Sequence, residues 1–477
     1  MTSLIEDDEL VVDCFAGGGG ASTGIEWALG RSPDIAINHD PKALAMHAAN
    51  HPRTKHLCEN VWAVDPREAC GNRRVGLLWA SPDCCHHSKA KGSKPRSKRL
   101  RALAWLPVRW ARAVKPRIIC IENVEEFQDW GPLDNDGRVI KKKRGLTFRM
   151  WLGKLKAAGY VVEWRELRAC DYGAPTSRKR LFLIARSDGE PIVWPEATHG
   201  PYRKAYRTAA DCIDWSIPVT SIFGREKPLV DKTLARIARG VMKYVLGSAD
   251  PFIVPVTHGG DLRIHSLREP VRTVTSANRG ELALIAPLLI QKGWGERKGQ
   301  APRCLDIRQP LGTVVAGGIK HELAICFLAR HYGGHENSGH PLTRPMSTVT
   351  TQDHHALVTA KLGAHRSEEV RAFLARFRDA KVSRQLQLPL GGGGCDEGIV
   401  YVGGKPYEIA DIGMRMLAPR ELFRAQSFED SYRIDLEFEG KPLSKTAQVH
   451  MGGNSVPPLM AEAIIRSNAT RREARAA

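Results

Sequence analysis

The sequence predicts an α/β fold: a doubly wound, mainly parallel sheet joined to a second, repeat-containing and mainly β region. Three observations carry this. Short apolar runs alternate with polar or helical stretches from Leu10 to Ala185, as strands do when crossover helices bury both sheet faces. One phrase then returns three times between Phe252 and Leu362, the signature of repeated small structural units. The chain has 477 residues and a hydrophobic fraction of 42%, enough for two or three cores at roughly 100–200 residues per domain.

Taken in order, the strand candidates are Leu10-Val11-Val12, Asp34-Ile35-Ala36-Ile37, Val75-Gly76-Leu77-Leu78-Trp79, Arg117-Ile118-Ile119-Cys120-Ile121, Tyr160-Val161-Val162 and Leu181-Phe182-Leu183-Ile184. Leu103, Leu106, Trp110 and Val114 fall at helical spacing, with Pro107 expected to kink or reset that helix. After Arg186 the texture turns to Pro, Gly, His and Thr. The repeated phrase is Glu269-Pro270-Val271-Arg272-Thr273-Val274, then Gln309-Pro310-Leu311-Gly312-Thr313-Val314, then Arg344-Pro345-Met346-Ser347-Thr348-Val349. Each copy follows a glycine turn (His258-Gly259-Gly260, Gly293-Trp294-Gly295, Tyr332-Gly333-Gly334) and precedes an apolar run ending near Leu282, Leu323 or Leu357. Such units serve either as plain scaffolding or as carriers of basic and His-rich loops. Gln385–Gly394 reads as a linker, and the chain from Met414 is helical in texture. The expected division is 1–190 plus 441–477 as one domain and 191–440 as the other, with the repeats at about 252–362.

Composition narrows the partners. A formal charge of +19 attracts polyanions, nucleic acid foremost. No apolar stretch approaches the ~18 residues needed to cross a bilayer, and Met1–Asp8 is acidic where a secretion signal is basic. Eleven irregularly spaced cysteines without a CxxC pair point to neither a disulfide framework nor a structural zinc site. A cytoplasmic protein without a membrane partner or a metal is expected.

Three polar sites fall at the carboxyl ends of predicted strands, the edge where open α/β sheets bind ligands. Asp13-Cys14-Phe15-Ala16-Gly17-Gly18-Gly19-Gly20-Ala21-Ser22-Thr23-Gly24 joins the first strand to the first helix. There, backbone amides can receive a nucleotide-like cofactor, although the glycines do not fall as GxGxxG; a tight turn alone is the alternative. Ser81-Pro82-Asp83-Cys84-Cys85-His86-His87-Ser88 follows the Val75–Trp79 run. Four consecutive Cys and His residues cannot easily converge on one tetrahedral ion. A nucleophilic thiolate at Cys84 or Cys85, favoured by the basic stretch Lys89, Lys91, Lys94, Arg96, Lys98 and Arg99, is the stronger reading. Glu122-Asn123-Val124 ends the next strand and brings a carboxyl to the same edge, or else caps the following helix.

With these residues in place, the chain resembles the S-adenosylmethionine-dependent DNA cytosine-5 methyltransferases. Five motifs stand in that family's order: Asp13 to Gly24; Pro82-Asp83-Cys84 with Ser88; Glu122-Asn123-Val124; Thr176-Ser177-Arg178-Lys179-Arg180; and Gly453-Asn454-Ser455-Val456-Pro457-Pro458. Arg415 to Tyr432, with Pro419-Arg420-Glu421-Leu422 and Ala425-Gln426-Ser427-Phe428, is similar to its penultimate motif. Asp83, Cys85, His87 and Thr176 depart from the pattern, and Asn38, in Asn38-His39-Asp40-Pro41, stands where the family has a ribose-binding acid, with Asp40 as a substitute.

The resemblance implies a Rossmann-like methyltransferase sheet with a target-recognition domain in the region between Arg186 and Met414. It implies that the Cys84 thiolate attacks C6 of cytosine. Glu122, as a neutral acid, then meets N3 and the amino group, while Arg180 holds O2 and Arg178 buttresses the site. Cofactor contacts are implied for Asp13, Phe15, Ala16, Gly17, Gly19, Gly20, Ser22, Asn38, Asn60, Pro82, Asn454 and Ser455, and DNA contacts for Ser88, Lys89, Lys91, Lys94 and Arg96. Lys141-Lys142-Lys143-Arg144 is equally a solvated turn or a phosphate contact. The expected partner is double-stranded DNA, with a cognate restriction endonuclease as a second. A binding protein that has lost catalysis, and an RNA cytosine-5 methyltransferase, are the alternatives.

Overall fold

The computed structural model describes residues 2–84, 86–87, 97–208, 220–229, 366–376, 399–402, 405–416 and 418–471. It also describes strands at 252–255, 265–266, 282–291, 304–306, 321–330 and 355–362, and a few positions between 210 and 237. The chain forms two compact units, Met1–Ala205 with Gln426–Ala477, and Tyr206–Ala425.

The first unit is built on a seven-stranded sheet. Its elements are β1 (Leu10–Cys14), α1 (Gly20–Leu29), β2 (Ile35–Asn38), α2 (Pro41–Asn50), β3 (Lys55–Cys58), α3 (Pro66–Cys70), β4 (Val75–Ala80), α4 (Leu106–Ala113), β5 (Ile118–Asn123), α5 (Leu146–Ala157), β6 (Val161–Arg168) and β7 (Lys179–Arg186). The strand order is β3-β2-β1-β4-β5-β7-β6, with β7 antiparallel to both its neighbours and the first five strands parallel. This is the Rossmann-like methyltransferase sheet that the sequence predicts.

Every residue of β1, β4 and β5 is buried, which is why these strands read as unbroken apolar runs. Their side chains alternate between two cores. Val12, Leu78 and Ile119 meet Trp110 of α4 and Trp151 of α5 on one face. Val11, Leu77 and Ile118 meet Ile25 of α1 and Ile464 and Ile465 of the C-terminal helix on the other. Strand β3, with Lys55 and Cys58 exposed, was not among the sequence-predicted strands. It lies at the sheet edge and carries no apolar alternation to announce it. Pro107 does reset its helix: a 3-10 turn over Ala102–Trp105 gives way to α4, with the proline in the first turn, where its missing N–H costs nothing.

The C-terminal helix closes the unit onto its N-terminal end. A Cβ on Gly24 of α1 would stand 2.6 Å from Ala461 Cβ and 2.8 Å from the Glu462 amide nitrogen, so only glycine allows this approach. Gly24→Ala is expected to destabilise the protein by about 1–3 kcal/mol through overpacking, read as a lower denaturant midpoint with an unchanged slope.

In the second unit, β8 (Phe252–Pro255), β9 (Leu282–Gln291), β10 (His321–Arg330), β11 (His355–Leu362) and β12 (Lys405–Met416) belong to a nine-stranded sheet. The strands after the three repeat phrases, β9, β10 and β11, lie side by side and antiparallel. Each begins at or just before the leucine where an apolar run was expected to end, since the run continues beyond it. The phrases themselves, their glycine turns and the Gln385–Gly394 linker lie outside the described residues. Met414 belongs to β12, and helix begins only at Pro419. Among the described residues no helix is long and apolar enough to cross a membrane.

Candidate active site

Strand geometry assembles the site. In the antiparallel β5–β7 pair Glu122 lies opposite Phe182, so Arg180, two residues from Phe182 on the same strand face, is the diagonal neighbour of Glu122. Arg180 Nε stands 3.3 Å from Glu122 Oε1, and Arg178 Nη2 stands 3.7 Å from the same oxygen. The Glu122 and Arg178 side chains are 8% and 4% exposed, so two guanidinium groups face one buried carboxyl in a medium that screens little. Glu122 is a strand residue; Val124 caps the 3-10 turn that follows, without a side-chain bond.

The cysteine reaches this edge by way of Pro82. The Asn123 side chain donates to the Pro82 carbonyl at 3.2 Å and accepts from the Val124 amide, tying the segment after β4 to the end of β5. Cys84 then opens a turn in which the His87 amide donates to its carbonyl at 2.9 Å. The Cys84 thiol is partly buried and in no disulfide, and Arg178 lies within electrostatic reach of it. Burial, then the charge of Arg180, push the Arg178 guanidinium down to about 9, while Glu122 and Cys84 oppose the shift. Arg178 also donates to the Gly453 carbonyl at 3.0 Å, drawing the glycine–asparagine–serine motif to the site. Asn123 was quoted in its motif without a role; its tether to Pro82 depends on strand neighbours far apart in sequence.

The glycine-rich loop after β1 is sharply turned. Phe15 and Gly17 have φ of 65° and 53°, and Gly19 has 97°. A Cβ on Gly17 would meet only the Phe15 carbonyl, at 3.9 Å, so that side of the loop is open. Gly19 and Gly20 instead face Tyr432 and Ser455, and the Tyr432 hydroxyl donates to the Gly18 carbonyl. Ala16 is bonded to Ile37 at the end of β2.

Asp13 is buried, with Oδ2 accepting from Ser22 Oγ at 2.7 Å and Oδ1 without a hydrogen-bond partner among the described residues. Behind it runs a chain absent from the sequence reading. His47 Nε2 lies 2.8 Å from Ser22 Oγ, and His47 Nδ1 lies 2.8 Å from His56 Nε2. With Asp13 ionised, the Ser22 hydroxyl spends its proton on Asp13, so its oxygen accepts from His47 Nε2–H. His47 Nδ1 then accepts from His56. Burial holds His47 well below the usual histidine range, with His51 and His56 as lesser causes. The only sequence signal is the i, i+4 spacing of His47, on α2, and His51, at its C-terminal cap.

Burial pushes the Asp13 carboxyl up to about 7, with the Ser22 hydrogen bond opposing it. An acid raised above its ordinary 3.8 binds more protons folded than unfolded between those limits. Its contribution to stability is therefore whole below about 3.8 and lost as pH rises through about 7. Asp13→Asn is expected to gain on the parent chain by up to about 1.4 kcal/mol per pH unit across that window. Denaturant midpoints at about pH 5 and about pH 7 read the gain; an offset that does not vary with pH would show that Asp13 is not the titrating group.

The remaining polar candidates have local partners. Asn38 Oδ1 accepts from the Asp40 amide at 2.8 Å, and Asp40 caps α2 by accepting from the Lys42 amide at 3.0 Å. Asn60 accepts from the Trp62 amide at 3.1 Å. Asn454 lies 3.4 Å from His450, and buried Ser455 follows the helix Lys445–Asn454. Cys85, Ser88, Lys89, Lys91, Lys94 and Arg96 lie outside the described residues.

A sheet with an inserted antiparallel strand, carrying a cysteine turn, a buried glutamate and two arginines at one edge, defines a methyltransferase-like class of protein. The sequence pattern of the C-5 cytosine-specific DNA methylases matches residues 10–214 and 359–469, and the chain belongs to that family. It is 31% identical over 210 residues to the Type II methyltransferase M.SacI of Streptomyces achromogenes, covering 40% of this chain and 50% of that one. M.AgeI of Thalassovita gelatinovora is 29% identical over 194 residues, 39% of this chain and 42% of its own. M.XorII of Xanthomonas oryzae pv. oryzae is 29% identical over 195 residues, 39% and 43%. The matched stretch thus spans half or less of each of these three relatives.

Proposed function

We propose that this protein methylates C5 of cytosine in a specific sequence of duplex DNA, with S-adenosylmethionine as methyl donor. The observation that carries the reading is the meeting of Glu122 with Arg178 and Arg180 beside the Cys84 turn. C5 of cytosine is a weak nucleophile until a group adds at C6. Cys84 Sγ forms that bond as a thiolate, with the Arg178 charge within electrostatic reach of it. Glu122, the carboxylate partner of the two arginines before the base binds, would take up a proton on binding, act as the acid at N3 and accept from the amino group, so charge pushed into the ring is met as it forms. Arg180 holds O2 while Arg178 fixes Glu122. C5, made nucleophilic by the addition, would take the donor's methyl group and leave the donor demethylated; loss of the C5 proton to a base then breaks the C6–S bond and releases the thiolate. Inside a duplex the carbon is screened by stacking, so the base must swing out, at a cost of a few kcal/mol.

The loop after β1 fits the donor: Asp13 Oδ1 is buried and unsatisfied among the described residues, and the Phe15–Gly17 turn is open on one side. S-adenosylmethionine, when bound, supplies an electrophilic methyl group. Asp13, Phe15, Ala16 and Gly17 would hold it together with Asn38, Asn60, Pro82, Asn454 and Ser455, while Gly19, Gly20 and Ser22 shape the loop. Ser88, Lys89, Lys91, Lys94 and Arg96 would meet DNA phosphates, the second unit would read the sequence, and a cognate restriction endonuclease would be the activity this modification guards against.

The test is incubation of random-sequence duplex DNA with the protein and S-adenosylmethionine, read by bisulfite sequencing, with Cys84→Ala as control. Protected cytosines in one short motif, lost in the variant, are expected. Salt-sensitive binding without protection would mark a binding protein, and protection confined to RNA would mark the RNA enzyme.

A further inference from the structure

A cleft of about 400 Å³ opens next to the Cys84 turn. His86 and His87 form one wall, and the His87–Cys84 backbone bond places that wall a single turn from the sulfur. Trp130 also lines the cleft, its ring edge-on to His87 at 5.3 Å and only 5% exposed, so it offers little face for a base to stack on.

Arg138, Val139, Lys141 and Arg144 line the cleft too, the last two from the lysine-arginine run whose role the sequence left open, and the segment that carries them is a built edge. A hairpin closes Asp134 N onto the Arg138 carbonyl at 2.8 Å, and Leu133 bridges Val139. The Ile140 amide donates to the Pro132 carbonyl at 3.0 Å, and a 3-10 turn over Lys141–Lys143 follows. The Lys143 carbonyl packs where a Cβ of Gly131 would stand.

The charges are sorted in the same way. Arg101 is buried and donates to the Gly131 carbonyl at 3.0 Å, while Arg144 pairs with Asp129. These two brace the walls. Glu126 and Asp129 also line the cleft, and Asp129 is taken up by Arg144; against these two carboxylates stand Arg138 and Lys141, which line the cleft, are exposed, and make no ion pair among the described residues. A guanidinium and an ammonium lining a cleft whose one large aromatic ring is buried match a phosphodiester and not a nucleobase.

We propose that this cleft seats a backbone phosphate of the DNA close to the flipped nucleotide, held by Arg138 and Lys141. The inference rests on the DNA substrate proposed above. On each strand a phosphate recurs roughly every 3.4 Å of helix axis, and the cleft shares His86 and His87 with the turn that Cys84 opens, so a phosphate flanking a base at Cys84 lies on the cleft's side of the molecule.

The test is the salt dependence of duplex binding, followed by fluorescence anisotropy, for the full chain and for the double variant Arg138→Ala with Lys141→Ala. Each lost phosphate contact removes about 0.9 from the slope of log K against log[salt], so a fall of about 1.8 is expected. Weakening should be similar on methylatable and unrelated duplexes, with the bisulfite motif unchanged. The control, Lys154→Ala with Lys156→Ala, removes equal charge from exposed positions of α5 and should leave the slope alone. An unchanged slope in the first variant, or an equal fall in the control, overturns the cleft assignment while leaving the methyltransferase reading intact. Absence of duplex binding by the unaltered chain removes both.

Discussion

Cys84→Ala is expected to lower methyl transfer by about 10⁴-fold or more, the scale of loss when a nucleophile is deleted from a site whose other parts remain. Binding of duplex DNA should persist, because the side chain removed is small and partly buried at the start of a turn held by backbone and Asn123 contacts. The thermal midpoint should move little for the same reason. A duplex carrying 5-fluorocytosine separates the chemistry from the binding. Fluorine at C5 cannot leave as a proton does, so the adduct through the cysteine persists and survives denaturing electrophoresis. Trapping should vanish in Cys84→Ala and remain in Cys85→Ala. The reverse pattern would move the nucleophile to the neighbouring cysteine, and trapping in both variants would remove a cysteine adduct from the mechanism.

Glu122→Gln is expected to show a double loss. Glutamine keeps the shape and one acceptor oxygen but withdraws the negative charge that faces Arg178 and Arg180 at 3.7 and 3.3 Å. With the Glu122 and Arg178 side chains 8% and 4% exposed, the guanidinium groups are left facing a neutral partner in a poorly screened site. Breaking a buried ion pair costs roughly 3–5 kcal/mol when one partner is removed outright, and an isosteric amide should fall below that. The acid at N3 is also lost, for a rate decrease of about 10²–10⁴ in single turnover. Stability and rate should therefore fall together in Glu122→Gln, where only the rate falls in Cys84→Ala. Parental stability in the Glu122→Gln variant would mean that the arginines draw their compensation from elsewhere, and a parental rate would remove Glu122 from the chemistry.

The particular residues show what was legible and why. The buried strands were readable because both faces of the sheet are covered, which forces continuous apolar runs on β1, β4 and β5. Edge strand β3 was not, since exposed Lys55 and Cys58 answer to solvent and to pairing with β2 alone. Cys84, Glu122, Arg178 and Arg180 could be selected from motif order, each at a strand end or beside one. Asn123 as the tether of Pro82, and His47 behind Ser22 and Asp13, could not, because their partners lie 41 and 25 residues away in the chain. The glycines were read as cofactor ligands as a group. Of those, Gly17 borders open space, whereas Gly19 and Gly20 make room for Tyr432 and Ser455, a use that appears only once the C-terminal helices dock.

By itself, then, the sequence determined the fold class, the residue types at the reacting edge and the basic character of the molecule, because periodicity, strand-end placement and net charge are local or additive properties. Tertiary structure alone decided which oxygen of Glu122 the arginines face, which glycines are packing contacts, and that the Lys141–Arg144 run borders a cleft at the cysteine turn. These depend on strand register and on approaches of a few ångströms between segments distant in the chain, and no local pattern encodes a distance.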